Sequence, residues 1–302
     1  MTEQLVVGVD AGGTSTAVAC SGGGTADAAY RGGPANASSQ GTVAAAAAIV
    51  AAVRACAGDR TPDAVFVAAA GAGRDAVADG LHAALARAFG APTRVRVEDD
   101  TRVALRAAIP SGPGIVLVAG TGSVAYAETD DARVRVGGAG YLLGDEGSAF
   151  AIGMAAVRAL ARAYDGRVRE DESHALAARA LGATDRASLF AAIYDAPLDV
   201  ARIAALAPAI VAFAGKGNRT STKIVQGAAQ QLSDLVRAAV VQAGLVDASP
   251  AIAFAGGLLR ENSLLTFLLE TRVTNETPGC HVVRVREEPE VVALAMARAM
   301  LA

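Results

Sequence analysis

The 302-residue chain reads as an α/β protein built from two similar halves. Three observations point there. Apolar strands alternate with helical stretches along the whole length. Each half opens with two apolar strands joined by a turn of glycine and hydroxyl residues, LVVGVDAGGTSTAVAC (5–20) and GIVLVAGTGSVAYAE (114–128). Each opening unit is a hairpin rather than a βαβ crossover. Two such halves are expected to face each other as lobes with a cleft between them.

After the first hairpin, Thr42 to Ala57 is alanine-rich and predicts a helix. Ala64 to Ala70 predicts a buried strand, closed by a Gly71-Ala72-Gly73 loop. Asp75 to Phe89 predicts an amphipathic helix, and Thr93 to Val97 a short strand running into Glu98, Asp99 and Asp100. Thr101 to Ala108 begins a further helix, stopped by Pro110 and Pro113. The pattern then restarts, which puts a domain boundary near Ile109–Gly114 and gives lobes of residues 1–110 and 111–290. In the second half, Val134 to Leu143 leads into GDEGS (144–148), and a helix is expected from Ala149 to about Tyr164. Helical sequence continues to Ala214 with breaks at Gly166, Gly182 and Pro197, and Thr222 to Gly244 predicts one long helix. AIAFAGGLLREN (251–262) predicts a buried strand, a Gly-Gly turn and a helix. Cys280 to Val285 predicts a last strand, and Glu290 to Ala302 a terminal helix packing back on the N-terminal lobe.

Composition narrows the function classes. Hydrophobic residues make up 53% and charged residues 19%, with a mean hydropathy of +0.37, which excludes a disordered, self-repelling chain. Aromatics are 4% and much of the apolar share is alanine, so the interior should hold small, closely spaced side chains. The net charge is −3 and no Lys/Arg-rich block occurs, which argues against a nucleic-acid partner. Glu3 precedes a short apolar run, Leu5 to Val9, whereas a secretory signal has a longer run and a basic flank. The longest uncharged stretch, Ala107 to Ala127, contains two prolines and several glycines, so no membrane span is expected and a soluble, cytoplasmic protein is. Cys20, Cys56 and Cys280 are far apart in sequence and show no metal spacing, as suits a reducing compartment.

The chemistry-bearing residues sit mostly at the turns. Asp10-Ala11-Gly12-Gly13-Thr14-Ser15-Thr16 combines glycines, which let backbone approach an anion, with hydroxyl donors and an acid able to hold Mg²⁺. Ala119-Gly120-Thr121-Gly122-Ser123 is its counterpart in the second half. Either alone could be an ordinary turn; two at equivalent points suit a polyphosphate that needs donors from two walls. Neither a P-loop nor a dinucleotide fingerprint is present. In Glu98-Asp99-Asp100 one acid can cap the following helix while another accepts a hydroxyl proton. Asp145 and Glu146 lie between glycines, in reach of polyol hydroxyls or of a helix N-terminus. Gly256-Gly257 could let a nucleotide base or ribose pass close, and His82, His174 and His281 read as surface or structural.

DAGGTST, the AGTGS turn, GGAGYLLGDEGSAFAIG (137–153) and AIAFAGGLLREN together resemble the BadF/BadG/BcrA/BcrD-type ATPase family, in its N-acetylglucosamine kinase-like branch. The resemblance runs from about Val6 to Ala302 and is most specific at GDEGS. It implies two ribonuclease H-like lobes facing a nucleotide cleft, the actin-like ATPase fold. It further implies ATP and Mg²⁺, with Asp10 toward the metal and Gly12, Gly13, Thr14 and Thr16 toward the phosphates. Gly120, Thr121, Gly122 and Ser123 would form the second phosphate turn, and Gly256 and Gly257 the adenosine loop. Asp100, rather than Asp99, falls at the family's catalytic base. The sugar contacts fall on Asn36 and Ser38 of GPANASS, on Gly138, and on Asp145 and Glu146, beside the base Asp100. The expected reaction is phosphorylation of an amino sugar, N-acetylglucosamine or glucosamine, at its 6-hydroxyl by a homodimer. N-acetylmuramic acid is an alternative acceptor. The family's dehydratase and reductase activators need closely placed thiolates for a [4Fe–4S] cluster, and the three cysteines have no such spacing. The sequence departs from the family pattern at Ala11, where a glycine is common. It departs again at Ala139 and Val124, where mammalian members carry a bulky aromatic and a polar residue near the sugar.

Overall fold

The computed structural model describes residues 4–13, 15–22, 25–73, 75–259, 261–285 and 287–302, with only the backbone of Thr25, Ala26, Ser38 and Ser39. The chain divides into two compact units, Met1–Ser111 with Val285–Ala302, and Gly112–Arg284. The first unit has a five-stranded mixed sheet of β1 (Val6–Ala11), β2 (Thr16–Gly22), β3 (Thr25–Gly32), β4 (Ala64–Ala69) and β5 (Arg94–Asp99). The second has β6 (Gly114–Ala119), β7 (Ser123–Glu128), β8 (Arg133–Gly137), β9 (Ala251–Ala255) and β10 (His281–Arg284). The orders are β3-β2-β1-β4-β5 and β10-β9-β6-β7-β8. In each sheet the first three strands form an antiparallel meander, and the remaining two run parallel to the first. The two sheets therefore share one topology, so the weak sequence repeat is a repeat of architecture.

The helices are α1 (Ala37–Gln40), α2 (Thr42–Ala57), α3 (Asp75–Phe89), α4 (Asp100–Ala108), α5 (Ala149–Tyr164) and α6 (Glu172–Leu181). They continue with α7 (Arg186–Tyr194), α8 (Val200–Ala204), α9 (Ala207–Gly215), α10 (Arg219–Gln242), α11 (Leu264–Glu276) and α12 (Pro289–Ala299). No single described helix is long and apolar enough to cross a membrane.

Three expectations need correction. The reading of hairpins missed their third strands, β3 and β8. Both are sheet edges with one face in solvent, so neither shows the continuous apolar run of the central strands. In β8 the alternation Arg133-Val134-Arg135-Val136 is a half-buried strand signal, with both valines packed against the main core of that unit. The third concerns the Gly-Gly turn, which does not lead straight into a helix. Leu258, Glu261 and Asn262 are in turn conformation, and α11 starts only at Leu264, where the Ser263 hydroxyl accepts the Thr266 N–H.

Cores of alanine, valine and leucine fill the space between sheet and helices. In the first unit, Val7, Val9, Val18, Val65 and Val67 pack on one side of the sheet against Ala45, Ile49, Ala52 and Val53 of α2 and Leu81 and Leu85 of α3. The opposite face packs Val6, Phe66 and Ala68 against Val103 of α4 and Ala293 and Ala297 of α12. Here α12 touches the sheet backbone to backbone. A Cβ on Gly8 would lie 2.0 Å from the Leu294 nitrogen and 2.4 Å from the Glu290 carbonyl oxygen. The same device recurs in the second unit, where a Cβ on Gly153 of α5 would lie 2.0 Å from the Ile203 carbonyl oxygen of α8.

This contact predicts a strong asymmetry between two glycine-to-alanine changes. Gly8→Ala should displace α12 and cost about 3 kcal/mol or more. Gly227→Ala, in mid-helix where the new methyl meets nothing within 4 Å, should gain about 0.5–1 kcal/mol. Thermal unfolding of the two variants beside the parent protein checks this. A Gly8→Ala protein with an unchanged Tm would contradict the backbone contact.

Candidate active site

In the first unit, β1 delivers Asp10 to the end of the sheet. Side chains alternate along a strand, so Asp10 shares the face of Val6 and Gly8, toward α12. Burial, reinforced by the charges of Glu290 and Glu288 and opposed by Arg31, pushes its carboxyl up to about 6. Glu290, in the first turn of α12, is 8% exposed. Its Oε1 lies 3.6 Å from the Arg31 guanidinium, and its Oε2 is buried with no hydrogen-bond partner among the described residues. Half-buried Asp10 and buried Glu290 offer carboxylate oxygens of the kind Mg²⁺ takes, and such a cation would hold Asp10 ionised.

The turn after Asp10 is closed by the Gly12 N–H donating to the Ser15 carbonyl at 2.9 Å, and the Ala35 N–H donates to the Gly12 carbonyl at 3.1 Å. That second bond carries Asn36 to the turn. A Cβ on Gly13 would stand 3.7 Å from Asn36 Nδ2, so the phosphate-side and sugar-side candidates of this unit adjoin. Thr14 and the Ser38 side chain lie outside the described residues. Thr16 stands apart. It pairs with Ala11 on the α2 face of the sheet, away from Asp10, and its buried hydroxyl has no partner among the described residues.

The acids after β5 divide their work. Asp99 is the N-cap of α4, and its Oδ1 accepts the Thr101 N–H at 2.9 Å and the Thr101 hydroxyl. Glu98 is tied to Arg96 and Arg102. Asp100 is the first helical residue of α4, half-buried, and is relieved of capping by its neighbour.

In the second unit, three candidate segments meet at the ends of β6 and β9. The Ser123 N–H donates to Asp145 Oδ1 at 3.3 Å, and the Ser123 hydroxyl donates to the Glu146 carbonyl at 2.7 Å. A Cβ on Gly122 would fall 2.8 Å from Asp145 Oδ2. The second turn is therefore locked onto the GDEGS loop, and the Ser123 hydroxyl is spent on that lock. The N–H groups of Ala149 and Phe150 hold the carbonyls of Gly120 and Thr121 at 2.8 and 3.2 Å. Ser148, not Asp145 or Glu146, caps α5 by accepting the Ala151 N–H at 3.2 Å. Asp145 adopts a positive φ of 59°, and burial raises its carboxyl against the Ser123 N–H, which lowers it. Gly256, at φ 93°, would place a Cβ 2.3 Å from the Ala119 carbonyl oxygen, so only glycine brings this loop beside the second turn. Gly257 is exposed with open space around it. Gly138 lies against Val124, whose Cβ would be 3.2 Å from an added Cβ. None of the three histidines joins these groups. His82 and His281 are exposed, while buried His174 accepts the Asp171 N–H in the capping box of α6.

A duplicated meander-plus-crossover sheet, with glycine turns at the ends of both central strands, is the actin-like fold. The chain belongs to the BadF/BadG/BcrA/BcrD ATPase family, whose profile matches residues 7–291. It is 26% identical over 213 residues to the N-acetylmuramic acid/N-acetylglucosamine kinase of Clostridium acetobutylicum, covering 70% of each chain. A provisionally assigned N-acetylglucosamine kinase from Chromobacterium violaceum has the same fold, with a TM-score of 0.78, 21% identity, and 97% and 99% of the two chains covered. A ROK family glucokinase from Streptomyces griseus, solved with glucose and AMPPNP, superposes with a TM-score of 0.57 at 19% identity, covering 98% and 99%.

Glu290 is the residue that sequence reasoning missed. It lies 280 positions from Asp10 and carries no motif; only the docking of α12 on Gly8 makes the two neighbours. The burial of Asp10 has a measurable consequence. Its folded-state carboxyl binds its proton more tightly than in the unfolded chain, so stability falls as pH rises from about 4 to about 6. Asp10→Asn should therefore raise the Tm of the nucleotide-free protein at pH 7.5, by the equivalent of about 1–3 kcal/mol. The gain should fade toward pH 4, and Mg²⁺-nucleotide should stabilise the variant less than the parent. A gain that grows on acidification would contradict the assignment.

Proposed function

We propose that this protein is an ATP-dependent kinase that phosphorylates the 6-hydroxyl of an amino sugar, with N-acetylglucosamine as first acceptor and glucosamine close behind. The observation that carries this reading is the lock between the second turn and the GDEGS loop. Ser123 and Gly122 are in direct contact with Asp145, so a phosphate-binding turn and polyol-binding acids are built as one piece. A phosphotransferase needs donor and acceptor groups held side by side; simple hydrolysis of ATP does not.

In this mechanism the first and second turns hold the phosphates of ATP through backbone N–H groups. Asp10, with Glu290 near it, would hold Mg²⁺, which when bound would neutralise phosphate charge. Asn36, Asp145 and Glu146 orient the sugar through its hydroxyls, and Asp100 accepts the 6-hydroxyl proton as the oxygen attacks the terminal phosphorus. Asp99 caps the start of α4, a contribution to the helix's stability and not to the chemistry. Ala139 is exposed beside Gly144, and Val124 packs on Gly138. Small apolar side chains at that corner leave the 2-substituent loosely read. The lactyl-bearing N-acetylmuramic acid is a second candidate acceptor, favoured by the name of the Clostridium relative.

Two tests follow. Asp100→Asn should lower kcat by roughly two to four orders of magnitude with nucleotide affinity kept, whereas Asp99→Ala should spare kcat and cost about 1 kcal/mol of stability. The reverse pattern would move the base to Asp99. With coupled ADP release at matched sugar concentrations, glucose-configured amino sugars should turn over and galactose-configured ones be rejected strongly, because an inverted hydroxyl leaves an acid that the bound sugar covers without its partner. ATP hydrolysis without transfer to any sugar, N-acetylmuramic acid included, would overturn the kinase reading.

A further inference from the structure

The two most N-terminal cysteines, 36 positions apart, meet in space. Cys20 lies on β2 and is 1% exposed, and Cys56 is half-buried in the last turn of α2. Their sulfurs are 2.8 Å apart. The Cys56 thiol also donates toward the Ala28 carbonyl of β3 at 3.4 Å. Both belong to the core between the sheet and α2, so the contact is set by strand–helix packing and not by a mobile loop. Cys280 is separate, its thiol donating to the Val273 carbonyl at 3.7 Å in the other unit.

We propose that Cys20 and Cys56 are a redox pair that closes a disulfide between β2 and α2. A disulfide bond measures about 2.05 Å, so closure needs less than about 1 Å of travel. The oxidant would be a low-molecular-weight disulfide. Cys56, the more accessible partner, attacks as thiolate on one sulfur of the oxidant; that S–S bond breaks and one small thiol leaves with a proton. The Cys20 thiolate then attacks the Cys56 sulfur of the mixed disulfide and expels the second small thiol. Two electrons and two protons pass from the protein pair to the oxidant. Burial pushes the Cys56 thiol up to about 12, so the first step is slow near neutrality and should speed up about tenfold per pH unit. The closed loop would contain β3, α1 and Asn36, tying the segment of a sugar-site candidate to the sheet.

The test uses the reduced full chain incubated with oxidised glutathione at pH 8.5, followed by thiol titration in denaturant and peptide mapping. The three thiols should fall to one, the map should show a Cys20–Cys56 link, and the Tm should rise by roughly 3–8 °C and return with dithiothreitol. Cys280→Ser should go from two thiols to none. Three surviving thiols, a link that includes Cys280, or a glutathione adduct on Cys56 that Cys20 never resolves would each overturn the proposal.

Discussion

At Gly8 the main chain of a helix rests directly on the main chain of a central strand, and much of the first unit depends on that approach. Because no side chain intervenes, α12 can lie against β1 and β4, cover Phe66 and Ala68, and bring Glu290 to the end of the strand that carries Asp10. The contact thus closes a hydrophobic face and assembles an acidic pair. It also explains the composition. Alanine-rich helices and few aromatics suit surfaces that meet at backbone distance, as Gly153 against Ile203 does in the second unit.

The acidic pair is expensive in stability. A carboxyl held near pH 6 by burial and by a second acid destabilises the empty protein at neutral pH, and a cation bound with the nucleotide would relieve that cost. The second unit uses a different economy. There the acid Asp145 accepts an N–H from the turn it adjoins, so its position is fixed before any ligand arrives. One unit thus holds its acid by a preformed hydrogen bond and the other by burial beside a second acid.

Duplication of one sheet topology gives the chain two strand ends at which to place glycine turns, and the structure elaborates them differently. The first turn is backed by Ala35 and Asn36 from the segment after β3. The second is backed by the N–H groups of α5 and by Gly256 from the end of β9. The same architecture therefore presents the Asn36 amide beside the first turn and the Asp145 carboxylate beside the second.

The sequence by itself determined the local elements and the turns. Central strands such as β1, β4 and β6 are buried on both faces and announce themselves as apolar runs; α2, α3 and α5 do so through alanine content or period, and the glycine turns through composition. The third strand β3 was not legible as a strand, because TADAAYRG shows neither an apolar run nor a clean alternation, whereas β8 carried its signal in the Arg-Val alternation of residues 133–136. Which acid of Glu98-Asp99-Asp100 caps α4 was open in the residues themselves and was decided by the fold, in which Asp99 accepts the Thr101 N–H. Only the tertiary structure decided three further points: that Glu290 stands by Asp10, that Gly122 stands on Asp145, and that Cys20 touches Cys56. Each joins residues well separated in the chain through tertiary packing, and sequence periodicity records which face of an element is buried but not what is buried against it.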